Sequence, residues 1–88
     1  MNKKDDVSDI EIGNRIKGLL NIFHVSRSDL AKDMGISYNT LTKKLNGKRE
    51  FTYKDFKVVQ KKFGLNYSVC GDIFFNPMFL VEKLISLK

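Results

Sequence analysis

Signals for helix starts recur along this chain, and they constrain its fold more than any other feature. In the segment 7–12, VSDIEI, Ser8 precedes the first helical position, Glu11 follows at the third, and apolar residues flank them. This is a capping box with a hydrophobic staple, which satisfies the free N–H groups of a helix start. The cap and its apolar neighbours recur in segments 25–30, 36–41, 51–56 and 75–80, with caps Ser26, Ser37, Thr52 and Asn76.

Glycines indicate where the predicted helices end. Gly35, Gly47 and Gly64 each follow a short segment of helical periodicity, as glycines just past a helix C-terminus do. Starts and stops together predict an all-α chain of five helices, at residues 9–23, 27–34, 38–46, 53–63 and 77–87. Residues 65–67 are predicted as a turn, and residues 72–75 as a helical turn or a short strand.

The predicted helices carry apolar edges that would form one small core. Helices this short are marginal in water alone, so packing of the edges must hold them together. A chain of 88 residues has room for one such domain. The predicted core comprises Ile12, Ile16, Leu19, Leu20, Phe23, Leu30, Ala31, Met34, Leu41, Leu45, Phe56, Val59 and Phe63.

The net charge of the chain is positive and unevenly distributed. Of the formal charge of +6, none comes from residues 1–26, whereas residues 27–88 carry 12 basic and 6 acidic side chains. This asymmetry favours a polyanionic partner, although charge alone does not separate nucleic acid from acidic lipid or protein. Of the lysines of the fourth predicted helix, Lys57, Lys61 and Lys62 are expected to form a solvated face, while the role of Lys54, near the helix start, stays open.

Several functional classes find no support in the composition. Cys70 is the only cysteine, which excludes an internal disulfide and fits a reducing cytoplasm. There is no signal peptide pattern, and no apolar run approaches the ~20 residues of a membrane span. With one histidine, no close group of acids and no Gly-rich phosphate loop, we expect no enzyme activity, metal, cofactor or small-molecule ligand.

Only three residues, Gly35-Ile36-Ser37, separate the second and third predicted helices. Gly35 can adopt the left-handed conformation that ends a helix abruptly, and Ser37 caps the next one. Ile36 fills the corner, while the small Ala31 lets the two helices approach closely. This arrangement is typical of a helix-turn-helix motif.

Residues 12–65 resemble the helix-turn-helix domain of the phage lambda-type repressor and Cro family, also called XRE-like. The resemblance implies a five-helix, lambda repressor-like fold, with a flexible N-terminus at residues 1–7, the helix-turn-helix DNA-binding domain at residues 8–75 and a C-terminal helix at residues 76–88. It implies a sequence-specific transcriptional regulator in a bacterial host cell, similar to small Cro-like regulators of phages and prophages of Gram-positive bacteria. The residues that carry it are Leu30-Ala31, Gly35-Ile36-Ser37, Leu41, Asn46-Gly47-Lys48 and Phe63-Gly64-Leu65, and residues 52–75 add to it.

Two positions depart from the pattern of that family. The glutamine that usually opens its second helix is Arg27 here, which removes an amide that supports a base-reading residue or bonds a phosphate. The arginine can still bond a phosphate. Position 44, apolar in the older phage repressors, is a lysine here, and Leu45 is expected to take the core role.

The third predicted helix has no acidic residue, which suits a major groove. The resemblance implies that Tyr38, Asn39, Thr42 and Lys43 contact bases. Asn39 can bond adenine through two hydrogen bonds, Lys43 can donate to guanine, and Thr42 can contact a thymine methyl. Tyr38 can bond a phosphate or pack on a thymine methyl. The expected phosphate contacts are Arg27, Ser37, Thr40, Lys44, Asn46, Lys48 and Arg49.

The C-terminal residues 76–88 are predicted to form a helix that covers part of the core and leaves an exposed apolar patch. Such patches mark interfaces, and repressors of this type bind paired half-sites, so a homodimer on double-stranded operator DNA is expected. A tail that only caps a monomer is the alternative. The candidate interface residues are Phe74, Phe75, Phe79, Leu80 and Leu84.

Two other functions stay open from the sequence. A protein-binding module, such as an antitoxin or antirepressor, would block a partner protein through the apolar patch at residues 72–88. A nonspecific nucleoid-type protein would bind all duplexes equally. A gel shift against the DNA that flanks the gene separates the first of these from a sequence-specific regulator.

Overall fold

The computed structural model describes residues 7–87, and within that range all regular structure is helical, with no β-strand. The prediction of an all-α chain is therefore confirmed for the described residues. The predicted flexible N-terminus lies outside them, apart from Val7. The α-helices are α1 at Asp9–Ile22, α2 at Arg27–Met34, α3 at Tyr38–Leu45, α4 at Tyr53–Lys62 and α5 at Tyr67–Phe75, and a 3-10 helix spans Val81–Leu87.

Side-chain caps begin the first four helices at the predicted residues. Ser8, Ser26 and Ser37 each accept a hydrogen bond from the backbone N–H three residues further on. At Thr52 the capping box is complete, because Asp55 N–H donates to Thr52 Oγ1 at 3.2 Å and Thr52 N–H donates to Asp55 Oδ2 at 2.9 Å. The three glycines predicted to end helices all have positive φ. Both kinds of signal are thus confirmed.

In place of the α-helix predicted at residues 77–87, the structure has a shorter 3-10 helix at Val81–Leu87. The fifth α-helix is α5, capped by Asn66, whose Oδ1 accepts from Val69 N–H at 2.8 Å. Leu65 and Cys70, on either side of that cap, are both buried and form its hydrophobic staple. Of the two predictions for residues 72–75, the helical one is right.

Asn76 ends α5 and does not begin a helix. Its side-chain Oδ1 accepts from Met78 N–H at 2.9 Å, only two residues on, which is an Asx turn. Pro77 stops α5 because it has no N–H to offer the carbonyl of Ile73, four residues before it. Residues 77–80 are consequently non-helical.

Arg15 of α1 supplies the donor that Pro77 lacks. The side chain is buried, and its Nη1 donates to the carbonyl oxygens of Ile73 at 3.0 Å and Asn76 at 2.9 Å. Its Nη2 donates to the Phe79 carbonyl at 3.2 Å, and the guanidinium carbon lies 5.4 Å from the centre of the Phe79 ring. One charged group therefore fastens the C-terminal segment to α1.

The core lies where α1 meets α3, α5 and the 3-10 helix, and where α2 packs against α3 and α4. At Gly13, α1 runs against the end of α3 so closely that a Cβ would lie 2.0 Å from the Leu45 carbonyl oxygen. Leu84 of the 3-10 helix is fully buried, so this helix contributes to the core. Within residues 7–87, no helix is long and apolar enough to span a membrane. Of the predicted core, only Phe23 and Phe56 are half-buried and not buried.

Candidate nucleic-acid interface

The turn between α2 and α3 fixes how the two helices meet. Gly35 has φ of 71° and its N–H donates to the Lys32 carbonyl at 3.1 Å. The N–H of Ile36 then reaches back to the Ala31 carbonyl at 3.0 Å. This pair of hydrogen bonds is the Schellman arrangement, which turns the chain sharply at the end of a helix. Ser37 caps α3 one residue later, so α3 begins at once.

The outer face of α3 brings the four predicted base-reading residues together. Its two leucines are fully buried, which fixes the rotation of the helix about its axis. Tyr38, Asn39 and Lys43 are exposed, and Thr42 is half-buried. Tyr38 and Thr42 lie one turn apart, as do Asn39 and Lys43, so the four side chains form one patch.

A cleft between α1 and α2 adjoins this patch. It is lined by Lys17, Asn21, His24 and Arg27, among other residues, and none of the described lining residues carries a carboxylate. Arg27 Nη1 lies 3.5 Å from Thr42 Oγ1, a long hydrogen bond that puts a cation beside a predicted base-reading residue. The cleft therefore extends the acid-free surface of α3 onto α1 and α2.

Lys17 is a residue of this surface that the sequence analysis missed. Its Nζ donates to the side-chain oxygen of Asn46, the C-cap residue of α3, at 3.0 Å. The charge distribution did not indicate Lys17 as a binding residue, because residues 1–26 have no net charge. The available signal was spacing: Lys17 lies one helical turn after Gly13, on the side of α1 that meets α3.

The residues predicted to contact phosphates differ in their hydrogen bonds and in their exposure. The hydroxyls of Ser37 and Thr40 satisfy each other, with Ser37 Oγ donating to Thr40 Oγ1 at 2.9 Å and accepting from Thr40 N–H at 3.0 Å. Asn46, Lys48 and Arg49 are exposed just past the end of α3. The side-chain oxygen of Asn46 is bonded to Lys17, whereas the described residues offer no ion pair to Lys48 or Arg49.

Lys44 does not lie on the exposed face with the other predicted phosphate contacts. Its side chain is buried, and its Nζ forms an ion pair with the buried Asp55, the residue that completes the capping box of α4. Leu45 beside it takes the core role that was expected. The lysine thus fixes the end of α3 to the start of α4.

The predicted dimer residues are split between the core and the surface. Phe74 and Leu84 are buried, and Phe79 is half-buried beside Arg15, so these three belong to the monomer. Only Phe75 and Leu80 are exposed, at 69% and 54%. Two apolar side chains near them in sequence, absent from the prediction, are also exposed: Met78 at 80% and Ile85 at 69%.

Comparison with known proteins returns no relative of this chain. No protein-family model matches it, and neither a search of curated proteins nor one of solved structures finds a significant match. Within residues 7–87, histidine, cysteine and acidic side chains form no group of three that could hold a metal ion. The function is therefore inferred from the residues of the chain itself.

Proposed function

We propose that this chain is a sequence-specific, double-stranded DNA-binding regulator of the phage Cro and repressor kind, with α2 and α3 as a lambda repressor-like helix-turn-helix. The exposed face of α3 carries the proposal. It presents amide, hydroxyl and ammonium groups without a carboxylate, while both leucines of the helix are buried. A helix of this kind fits the major groove, whose width admits an α-helix.

Bases would be contacted from the first two turns of α3. Asn39 offers the paired donor and acceptor that match adenine, and Lys43 offers donors for guanine. Thr42 would contact a thymine methyl while Arg27 bonds its hydroxyl. Tyr38, 51% exposed at the first position of the helix, can reach a phosphate or a thymine methyl.

Affinity would come from phosphate contacts on either side of that patch. Lys48 and Arg49 lie past the end of α3, and Arg27 lies at the start of α2. Cations of this kind release counterions from DNA and supply binding energy without sequence information. Lys44 is not proposed as a phosphate contact, because its ammonium is held by Asp55.

The DNA-bound form is proposed to be a homodimer that joins two copies through Phe75 and Leu80. A Phe75→Ser, Leu80→Ser variant should keep its helical circular dichroism, because both side chains are exposed. Its affinity for a palindromic site should fall steeply, while its affinity for a single half-site stays the same. Unchanged affinity for the palindrome would place the dimer contact elsewhere or exclude it.

A protein-binding module is the second candidate, and the exposed apolar residues near the C-terminus favour it. Phe75, Met78, Leu80 and Ile85 are all more than half exposed. A surface of this kind could cover a partner protein in the way an antitoxin or antirepressor does. Under this alternative, the Phe75→Ser, Leu80→Ser variant loses the partner, and no duplex is preferred over another.

Selection of binding sites from random duplex DNA tests the main proposal. A regulator should enrich a short sequence with two related half-sites about one helical turn apart. Equal recovery of all sequences, with salt-sensitive binding, would indicate a nonspecific nucleoid-type protein. Failure to retain any duplex would favour the protein-binding module.

A further inference from the structure

We propose that α4 and the start of α5 form a second nucleic-acid surface, which binds single-stranded nucleic acid by stacking bases on tyrosines and pairing phosphates with lysines. The surface is a groove that we call the tyrosine–lysine groove. Tyr53, Lys54, Lys57, Lys61 and Tyr67 line it, together with Val58 and Gln60. Its lysines other than Lys54 were predicted from the sequence to form an ordinary solvated face.

Two exposed tyrosines begin the two helices that form the groove. Tyr53 is the first residue of α4 and Tyr67 the first residue of α5, and they are 76% and 68% exposed. Both rings therefore leave most of their surface uncovered in the isolated chain. Aromatic rings displayed in this way, beside cations, are the platforms on which proteins stack unpaired bases.

The lysines of the groove form a stripe along α4. Lys54, Lys57 and Lys61 lie three and four residues apart and thus on one side of α4. None of the described residues that line the groove carries a carboxylate. Lys57 Nζ lies over the face of the Tyr53 ring, 5.5 Å from its centre, so the lysine stripe reaches one of the two tyrosines.

Other lysines of the chain show what a merely structural role looks like. Lys62 lies off the stripe, and its Nζ forms an ion pair with Asp33 Oδ2 at 2.8 Å. The hydrogen bond to that carboxylate raises the pKa of Lys62. Lys44 is paired inside the protein. By contrast, the described residues offer no ion pair to Lys54 or Lys61. The stripe is thus left with uncompensated charge.

Single-stranded nucleic acid fits this combination better than other polyanions. Stacking on a tyrosine requires an exposed base face, and the bases of a duplex are stacked on each other. An acidic peptide offers carboxylates to the lysines but no regular series of aromatic rings to stack on the tyrosines. An anionic bilayer offers charge, yet insertion needs a large apolar surface, and three of the seven described residues that line this groove are lysines.

The groove begins beside the turn that precedes α3 and runs away from it along α4. Lys54 Nζ lies 3.7 Å from the position a Cβ would take at Gly35. A strand in the groove would therefore lie near a duplex on α3 without covering the patch at residues 38–43. Binding in the groove does not depend on whether α3 binds a duplex.

Tyrosine fluorescence gives a direct test, since the chain has no tryptophan and three tyrosines. In a Tyr38→Phe background, both remaining tyrosines lie in the groove. Titration of the full chain with a ten-nucleotide DNA or RNA strand of mixed sequence should quench their emission. Similar quenching by both strands means that the sugar is not distinguished, and quenching by one alone identifies the natural strand.

Substitutions in the groove should weaken single-strand binding, through lost stacking at the tyrosines and through lost charge at the lysines. Tyr53→Leu and Tyr67→Leu should each lower the affinity about 10-fold, as expected for the loss of one base stack. Lys57→Gln and Lys61→Gln should each make the slope of log K against log salt shallower by about 0.7. All four side chains are exposed, so circular dichroism should be unchanged.

Lys48→Gln is the matched control, because Lys48 is an exposed lysine outside the groove. It should weaken duplex binding and leave single-strand binding unaltered, whereas Lys57→Gln should do the reverse. The inference is overturned if the tyrosine variants bind the single strand normally, if duplex displaces the strand completely, or if polyglutamate or anionic vesicles quench equally. Failure of the natural chain to bind any duplex, with single-strand binding intact, would overturn the proposed regulator and not the groove.

Discussion

Lys44 in the last turn of α3 and Asp55 in the first turn of α4 form an ion pair inside the protein. Asp55 uses the same carboxylate oxygen, Oδ2, to accept from Thr52 N–H. One carboxylate thus begins α4 and holds the end of α3. The face that α3 presents outward therefore depends on a contact on its inner side.

Removing only the lysine should be costly. We expect Lys44→Met to lower the free energy of unfolding by about 3 kcal/mol, because it leaves the Asp55 carboxylate buried without its cation. Adding Asp55→Asn, which keeps an acceptor for the capping box, should recover much of the loss. Urea unfolding of both variants measures this. A double variant less stable than Lys44→Met would contradict the account.

The exposed pair between Lys62 and Asp33 is the control for that experiment. Lys62 lies at the surface, where solvent screens the interaction even though the carboxylate raises the pKa of the lysine. Lys62→Met should therefore shift the urea midpoint far less than Lys44→Met. Similar shifts would mean that burial does not decide the strength of these pairs.

Two glycines in helices should respond in opposite directions to alanine. Gly13→Ala puts a methyl group 2.0 Å from the Leu45 carbonyl oxygen, so α1 and α3 must move apart, at a cost of about 2–3 kcal/mol. At Gly71 in α5 a Cβ meets no atom within 4 Å. Gly71→Ala should stabilise the chain by about 0.5–1 kcal/mol, because alanine loses less backbone entropy. Thermal unfolding compares the two, and a stable Gly13→Ala protein would show that the helices are not in contact.

Asn39→Ala should affect only the cognate site if α3 contacts bases. We expect the affinity to fall by about 1–3 kcal/mol on that site and the preference at one base pair to relax, because a paired base contact is lost. Binding to random duplex should hardly change. Equal losses on both DNAs, measured by fluorescence anisotropy, would show that Asn39 does not discriminate bases.

The salt dependence of binding should locate the phosphate contacts. Lys48→Ala or Arg49→Ala should lower the affinity for cognate and random duplex by a similar factor, and the slope of log K against log salt should become shallower by about 1 per subunit. A dimer should show about twice that change. Lys61→Ala, in the groove of α4, should leave the duplex slope nearly the same. A larger effect at Lys61 than at Lys48 would put the duplex on the other face.

Cys70 should be unreactive in the folded chain. Burial raises the pKa of its thiol to about 11, so at pH 8 the thiolate is about 100-fold scarcer than at the ordinary pKa of 9.0. Labelling with a disulfide reagent should be at least that much slower than in urea. Rapid labelling without denaturant would show that α5 opens readily.

The same shift in pKa predicts how stability depends on pH. The folded thiol holds its proton up to about pH 11, and the unfolded thiol loses it near 9.0. The contribution to stability is therefore complete below pH 9 and declines as the pH rises towards 11. Between pH 9 and 11, the free energy of unfolding measured in urea should fall less for Cys70→Ala than for the natural chain. Equal declines would assign the effect to other groups.

The first four helices were predicted from local signals, because a helix cap depends only on neighbours within a few residues. Ser26 and Gly35, for example, begin and end α2 through backbone hydrogen bonds that the spacing predicts. The same local rule failed at Asn76, where Pro77 equally suits the first position of a helix and the position just past one. Arg15, more than 50 residues away in sequence, donates to the Asn76 carbonyl and so stabilises the end of a helix at this position.

The candidate nucleic-acid interface was also predicted only where spacing within one helix decides the structure. The exposed face of α3 followed from the period of its leucines, which fixes what points outward. Lys44 was placed wrongly because its partner, Asp55, lies on the next helix, and sequence spacing does not reveal contacts between helices. Lys17 was missed because its contact with Asn46 spans 29 residues.

The hydrogen bonds of Arg15 have a consequence for how the protein is made. On the ribosome, Arg15 emerges 58 residues before Ile73 and 64 before Phe79, whose carbonyls it binds. Until those residues leave the exit tunnel, the guanidinium must stay hydrated, and α1 cannot close on its final partners. We therefore expect nascent chains arrested before residue 73 to remain open to proteases, and release of the C-terminal segment to complete folding in one late step.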